Sequence, residues 1–367
     1  KMNISGEITG IKYKILLSDN LKQIDFNNFD INDVPATCLL TNNKTTFAIS
    51  KWVSPKRTRS YPFERVYNSL TTSKKITIIP IVKDEGARGD RDFIQWDTVS
   101  LMSLLDVFVI FAYYDKAEVN PRNELKITNQ QFDNAYVIAK IKEIQAYHSS
   151  ALHWNLNELK TNLHDIIDKT KSAYKKIEQT TKVPLHNLTG IDNFKEKIGL
   201  EVELFMEFSR KKAKQAQFRE FVTQQPKESL STLSKAKITI TNYLGGQYFF
   251  TVDEILIDEN TVYLIEGKHS KNAILPSKGD IKDGLLKMIL YSNLSDVTAS
   301  GKLMNSVAVL SLTSSKLKGH ITSKSSTKDI VNFQRDNEIF NQQAVLFGDL
   351  LREAEENNFI IKIGFSK

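Results

Sequence analysis

The sequence holds a single cysteine, Cys38, in 367 residues. An intrachain disulfide and a multi-cysteine zinc site are both excluded, and this usage fits a reducing compartment. Histidine is scarce and scattered. The nearest thing to a ligand pair, His148 and His153, is spaced i, i+5 and shares a helix face poorly. No apolar run approaches the roughly 20 residues that span a bilayer. The longest, Val107 to Tyr114, has the length of a strand. The first residues lack the basic, apolar and small-residue order of a secretory signal, so a cytoplasmic protein is expected. There is no Gly-rich phosphate loop ending in Lys-Ser/Thr, so no ATP-driven motor is expected within this chain. Gly-x-Ser-x-Gly is missing, and no Cys/His pair recommends itself for nucleophilic catalysis.

What is present is a mostly foldable chain with a basic surplus. Hydrophobic residues make up 41%, enough for a sizeable core. The formal net charge of +7 favours an acidic partner such as nucleic acid, though weakly, because AT-rich coding also inflates lysine.

Residues 1–128 read as strand-rich, with candidate strands at Ile8 to Leu17, Thr45 to Val53, Lys75 to Val82 and Val107 to Tyr114. Thr98 to Leu105 fits a short helix. Residues 129–190 read as a helical connector, since Val137, Ile141, Ile144 and then Leu152, Leu156, Leu159, Leu163 recur at steps of three and four. In residues 191–367 a long amphipathic segment, Asn193 to Val222, precedes strands at Ala236 to Asn242, Gln247 to Ile257 and Thr261 to Lys268. A helix (Asp280 to Asn293), a strand (Ser306 to Leu312), a helix (Asn341 to Glu356) and a strand (Phe359 to Gly364) follow. This order predicts an α/β (α+β) core with a mixed sheet flanked by helices.

The chemistry concentrates between Tyr248 and His269, YFFTVDEILIDENTVYLIEGKH. Two apolar runs flank a polar turn at Asp258 to Thr261, the pattern of a β-hairpin. Asp253 lies inside the first run. Glu266 and Lys268 end the second, two residues apart, so their side chains share one face. Charged groups in such strands are costly without a compensating partner. A divalent cation held by Asp253, Glu266 and the Gly267 carbonyl would supply one, and Gly267 would ease close approach. Lys268 would then contact a phosphate oxygen, orient or deprotonate a water, or stabilise developing negative charge.

Asp253, twelve intervening residues and then Glu266-Gly267-Lys268, in a strand–turn–strand–helix–strand setting, resemble the PD-(D/E)xK nucleases, which include most type II restriction endonucleases. Val252 replaces the loosely kept proline. The resemblance covers roughly residues 193 to 312. It implies a restriction-endonuclease-like core and Mg²⁺-dependent hydrolysis of double-stranded DNA at a specific site. It also implies a homodimer that cuts both strands, and a cognate DNA methyltransferase in the same cell.

Other residues are secondary candidates. Asp192 with Glu201 and Glu203 spells a rival acid set, and Glu201 or Glu203 is also a candidate auxiliary metal ligand. Lys56, Arg57 and Arg59 sit in a basic and aromatic stretch, Lys51 to Tyr61, suited to DNA. Arg88 and Arg91 lie in a loop of alternating charge, and His269, Lys271 and Lys278 follow the motif directly. Lys282 and Lys287 fall off the apolar face of their helix; they are candidates for phosphate contact, with solvated helix lysines the favoured reading. Two other functions fit the same residues: a repair or modification-dependent nuclease, and a DNA-binding protein without activity.

Overall fold

The computed structural model describes residues 3–42, 45–56, 62–199, 202–222, 234–242 and 247–366. Among them the chain forms ten α-helices and both mixed and antiparallel sheets, the expected α/β class. None of these helices is long and apolar enough to cross a membrane.

The chain divides into two compact units, one formed by Lys1–Asp19 with Lys212–Lys367 and the other by Asn20–Lys211. The divisions drawn from sequence at 128 and 190 are not where the units part. The reason is packing. Ile76, Ile110 and Phe108 from the strand-rich segment share one buried cluster with Ile141, Ile144 and Trp154 from the helical one. The Trp154 indole also donates to the Val109 carbonyl at 3.0 Å. The helical stretch is thus the cover of a sheet and not a connector.

The first unit is built on a nine-stranded sheet. Its strands are β1 (Asn3–Ile8), β2 (Ser234–Asn242), β3 (Gln247–Asp258), β4 (Thr261–Ser270), β5 (Ser295–Ala299), β6 (Lys302–Leu303), β7 (Asn305–Ser314), β8 (His320–Thr322) and β9 (Ile360–Phe365). Their spatial order is β6-β5-β1-β2-β3-β4-β7-β9-β8. β2, β3 and β4 form an antiparallel meander, while β4, β7 and β9 run parallel. The β3–β4 turn is the two residues Glu259 and Asn260, with Glu259 at φ 48°, as tight hairpins require. Helix α1 (Lys278–Tyr291) lies on β4 and β7, and α2 (Thr327–Asp336) and α3 (Asn341–Glu356) lie near β8 and β9. Ser277 caps α1 by accepting from the Asp280 amide, and its hydroxyl donates to the Asp280 carboxylate.

Ile8 to Leu17 is not the strand its composition predicts. β1 ends at Ile8, and the residues beyond it take side-chain partners instead of a ladder. Glu353, fully buried on α3, accepts from Tyr13 Oη and from the Leu16 and Leu17 amides, and Asn357 accepts from the Lys14 amide. An extended segment whose N–H groups are satisfied this way needs no neighbouring strand.

The second unit carries a five-stranded sheet. Two of its strands, Lys74–Pro80 and the edge strand Phe108–Ala112, are paired in parallel and almost wholly buried, as expected of strands covered on both faces. An antiparallel hairpin, Tyr114–Asn120 with Asn123–Phe132, closes the stretch read as strand-rich and runs a few residues into the one read as helical. The long segment read from Asn193 to Val222 is two helices, Thr189–Ile198 and Val202–Val222. Gly199, at φ +57°, ends the first.

Candidate functional site

The three motif residues converge at one irregular point of the nine-stranded sheet. On β2, Ser234 pairs with Ile255 and Ala236 with Val252, so β3 carries one extra residue at Asp253–Glu254. Such a bulge re-aims a side chain and interrupts pairing. On the other side of β3 the ladder with β4 runs from Asp258–Thr261 to Glu254–Ile265 and goes no further. Beyond that point the Gly267 amide donates to Asp253 Oδ2 at 3.0 Å, so a side chain replaces the missing backbone partner. Asp253 and Gly267 are thereby held together on adjacent strands.

Glu266 is 1% exposed, on the face of β4 covered by α1. Its carboxylate is not left alone. Lys287 Nζ on α1 donates to both oxygens at 2.8 Å, and Lys268 Nζ lies 3.2 Å from Oε1. Lys268 also donates to Asp283 Oδ2 at 2.8 Å. The result is a chain of alternating charge, Lys287–Glu266–Lys268–Asp283, with Asp253 beside it. Gly284 permits the close seat of α1. A Cβ there would lie 2.7 Å from Leu310 Cδ1 and 3.5 Å from Lys268 Cε. At Gly267 a Cβ would meet only Asp253 Oδ2 at 3.8 Å, ordinary contact with the protein's own atoms.

Burial acts to lower the pKa of both lysines, but the neighbouring carboxylates outweigh it. Glu266 and Asp283 raise the Lys268 pKa above its ordinary value, and Glu266, Asp253 and Asp283 do the same for Lys287. Both are ammonium groups at neutral pH. Of the roles open to Lys268, donating hydrogen bonds and stabilising negative charge fit this state.

Asp283 and Lys287 have no place in the motif that singled out the other three. Lys287 was expected in solvent, yet its side chain is 17% exposed. Lys282 was expected there too, but it is 2% exposed and paired with Asp19 at 2.6 Å. The available signal was the i, i+4 pair Asp283 and Lys287 bracketing Gly284 in that helix. Sequence does not say which side of that helix faces the strands.

Mg²⁺ typically takes one or two protein carboxylates and completes its shell with water and phosphate oxygens. Asp253, Glu266 and the Gly267 carbonyl match that chemistry. Among the described residues, no group of three or more His, Cys, Asp or Glu side chains could hold a metal by itself. A cation here would therefore depend on water or phosphate oxygens for the rest of its shell.

The secondary candidates separate. Arg91 is committed internally: it donates to the Asn187 carbonyl at 2.8 Å, lies 3.9 Å from Asp84 and stacks over Phe93. It is an anchor of its loop. Arg88 is exposed in the same loop. Lys56 is half-exposed and pairs with the buried Asp92 at 2.7 Å. Arg57, Arg59 and Glu201 lie outside the described residues. Asp192 is on a helix and bound by Lys171 at 2.7 and 2.8 Å. Glu203 is exposed on the helix that follows. Both belong to the second unit, so they are not on the sheet that carries Asp253. His269 and Lys271 are exposed at and just beyond the end of β4, His269 contacting Thr313 Oγ1 at 3.0 Å. Lys278 opens α1 at the rim of a cleft of about 590 Å³ lined by Leu16, Leu17, Ile281, Lys282 and Val345. None of the five charged groups of the site lines that cleft.

Compared with protein-family models, curated proteins and solved structures, the chain finds no match in any of the three.

Proposed function

We propose that this chain is a Mg²⁺-dependent endonuclease of double-stranded DNA, of the type II restriction kind, with a PD-(D/E)xK-like core in the first unit. One observation supports this reading above the others. The β3 bulge, the end of the β3–β4 ladder, two carboxylates and an ammonium coincide at one point of the sheet. Burying these charges costs stability that a purely structural hairpin has no reason to spend. The antiparallel hairpin followed by α1 and, after the short strands β5 and β6, by the parallel strand β7 is consistent with the arrangement the resemblance implies.

Asp253 and Glu266, with the Gly267 carbonyl, would hold the cation. Bound there, it would polarise the phosphoryl group and make a nucleophile available at neutral pH. Lys268, kept protonated and aimed by Asp283, stabilises the negative charge that builds on the phosphate oxygens. Exposed basic groups near the site, His269 and Lys271, suit contact with the DNA backbone, and Arg88 in the second unit suits recognition. A homodimer would bring two such centres to the two strands. A partner methyltransferase would protect the cell's own DNA in the cytoplasm.

The test is digestion of unmethylated phage and plasmid DNA with Mg²⁺, by wild type and Lys268→Ala. Discrete bands from the wild type alone support the reading. Equal cutting by both places the centre elsewhere. Cutting only of methylated DNA identifies a modification-dependent enzyme, and binding without cutting in Mg²⁺ or Mn²⁺ identifies a non-catalytic one.

A further inference from the structure

Glu266, a ligand in the reading above, already has a cation on it. Lys287 Nζ sits 2.8 Å from each of its oxygens. Three carboxylates (Asp253, Glu266, Asp283) meet two ammonium groups (Lys268, Lys287), so the cluster carries one net negative charge. That charge decides which combinations of ligands balance. A divalent cation alone turns the site positive. A phosphodiester alone makes it more negative. Only both together leave it neutral. Without Lys287 the cluster would carry two negative charges, and a divalent cation alone would neutralise it.

We propose that Lys287 is a positioning residue that makes cation binding depend on DNA. It holds Glu266 while no cation is there, and it keeps the DNA-free site from retaining one tightly. This rests on the reading of Asp253 and Glu266 as cation ligands. The physical basis is local charge at low effective dielectric, where one ammonium a few ångströms from a binding site opposes a divalent cation strongly. The same field favours an incoming phosphate, so cation and DNA each strengthen the other's binding, a coupling that is reciprocal by necessity. An unpaired buried carboxylate would be costly in the cation-free protein, which gives Lys287 a role in both states.

The experiment is calorimetric titration of the full-length protein with Mg²⁺ and Mn²⁺, without DNA. Wild type is compared with Lys287→Met, Lys287→Gln and Lys287→Arg, the fold of each checked by circular dichroism. The Gln variant keeps a hydrogen bond to Glu266 and serves if the Met variant does not fold. Loss of the charge is expected to tighten DNA-free cation binding by about tenfold or more, with Arg close to wild type. Repeating the titration with Ca²⁺ and sonicated plasmid DNA is expected to strengthen cation binding in wild type far more than in the neutral variants. Unchanged or weaker DNA-free binding in the neutral variants would overturn the inference and leave the nuclease reading standing. Heats that are absent in wild type and neutral variants alike, and unaffected by Asp253→Asn, would remove the cation site and both readings with it.

Discussion

Asp253 Oδ2 accepts the Gly267 amide at 3.0 Å, at the place where the β3–β4 ladder has ended. A carboxylate thus stands in for a strand. It holds the hairpin together on one side and presents its remaining acceptor capacity on the other. Asp253→Asn keeps an oxygen for that amide, so the fold should survive while a ligand charge is lost. Plasmid cleavage in Mg²⁺ is expected to fall about 100-fold or more, with a urea unfolding midpoint close to wild type. Unchanged cleavage would mean that Asp253 is only a strand clamp.

Glu266→Gln should show the opposite balance. Its loss leaves Lys287 and Lys268 without their shared carboxylate in a place largely closed to water. Removing one partner of a buried pair typically costs about 3 kcal/mol or more, measured by urea unfolding. Adding Lys287→Met to Glu266→Gln should restore much of that stability, because the unpaired charge goes with it. A double variant no more stable than the single would show that the pair is not what Glu266 supports.

The two lysines also set a pH dependence. Their folded pKa values are raised above the ordinary lysine value of 10.5. A raised value means that the folded protein holds these protons more tightly than the unfolded chain. The stabilisation is complete below 10.5 and is lost as pH climbs through the folded values. The melting temperature of wild type should fall above pH 10.5 more steeply than that of the Glu266→Gln, Lys287→Met double variant. Parallel curves would remove the assignment.

Cys38 is fully buried, and burial pushes its thiol up to about 11. A thiol without thiolate character and without access is inert. Native protein at pH 8 should leave a disulfide-exchange reagent unreacted over the time in which urea-unfolded protein reacts at once. Rapid labelling of the native state would contradict the packing of the second unit's core.

Glu353 ties down the segment after β1 by accepting from Tyr13, Leu16 and Leu17. Glu353→Ala should cost about 2 kcal/mol, and the Leu16 and Leu17 amides should lose protection from hydrogen exchange ahead of the sheet. Retained protection would mean that apolar contacts hold the segment.

Much of this was legible in the sequence because local pattern governs it. The β3–β4 hairpin has alternating and apolar runs around a two-residue turn, and Asn341–Glu356 has helix periodicity from end to end. Asp253, Glu266 and Lys268 stood out because charges interrupt apolar strands. What sequence did not reveal depends on partners distant in the chain. Nothing local in Ile8 to Leu17 announces that a helix carboxylate will take its amides. Lys282 and Lys287 look like solvated lysines until Asp19 and Glu266 arrive beside them. Nor does the spacing of Asp253 show the bulge that turns it toward Gly267, since a bulge is a property of two strands.

β1 is flanked by β2 on one side and β5 on the other, with Asn3 opposite Lys237 and Ile4 opposite Ala299. β1 therefore leaves the ribosome with both neighbours still unmade until the whole second unit has been synthesised. Contacts of such long separation form slowly, and an unpaired strand is open to wrong partners in the meantime. A fragment beginning at 212 would leave β2 and β5 with a bare edge each in the middle of the sheet. Dividing the gene at the boundary between the units would thus yield no independently folded first unit, whereas joining residue 19 directly to residue 212 would keep every strand of that sheet.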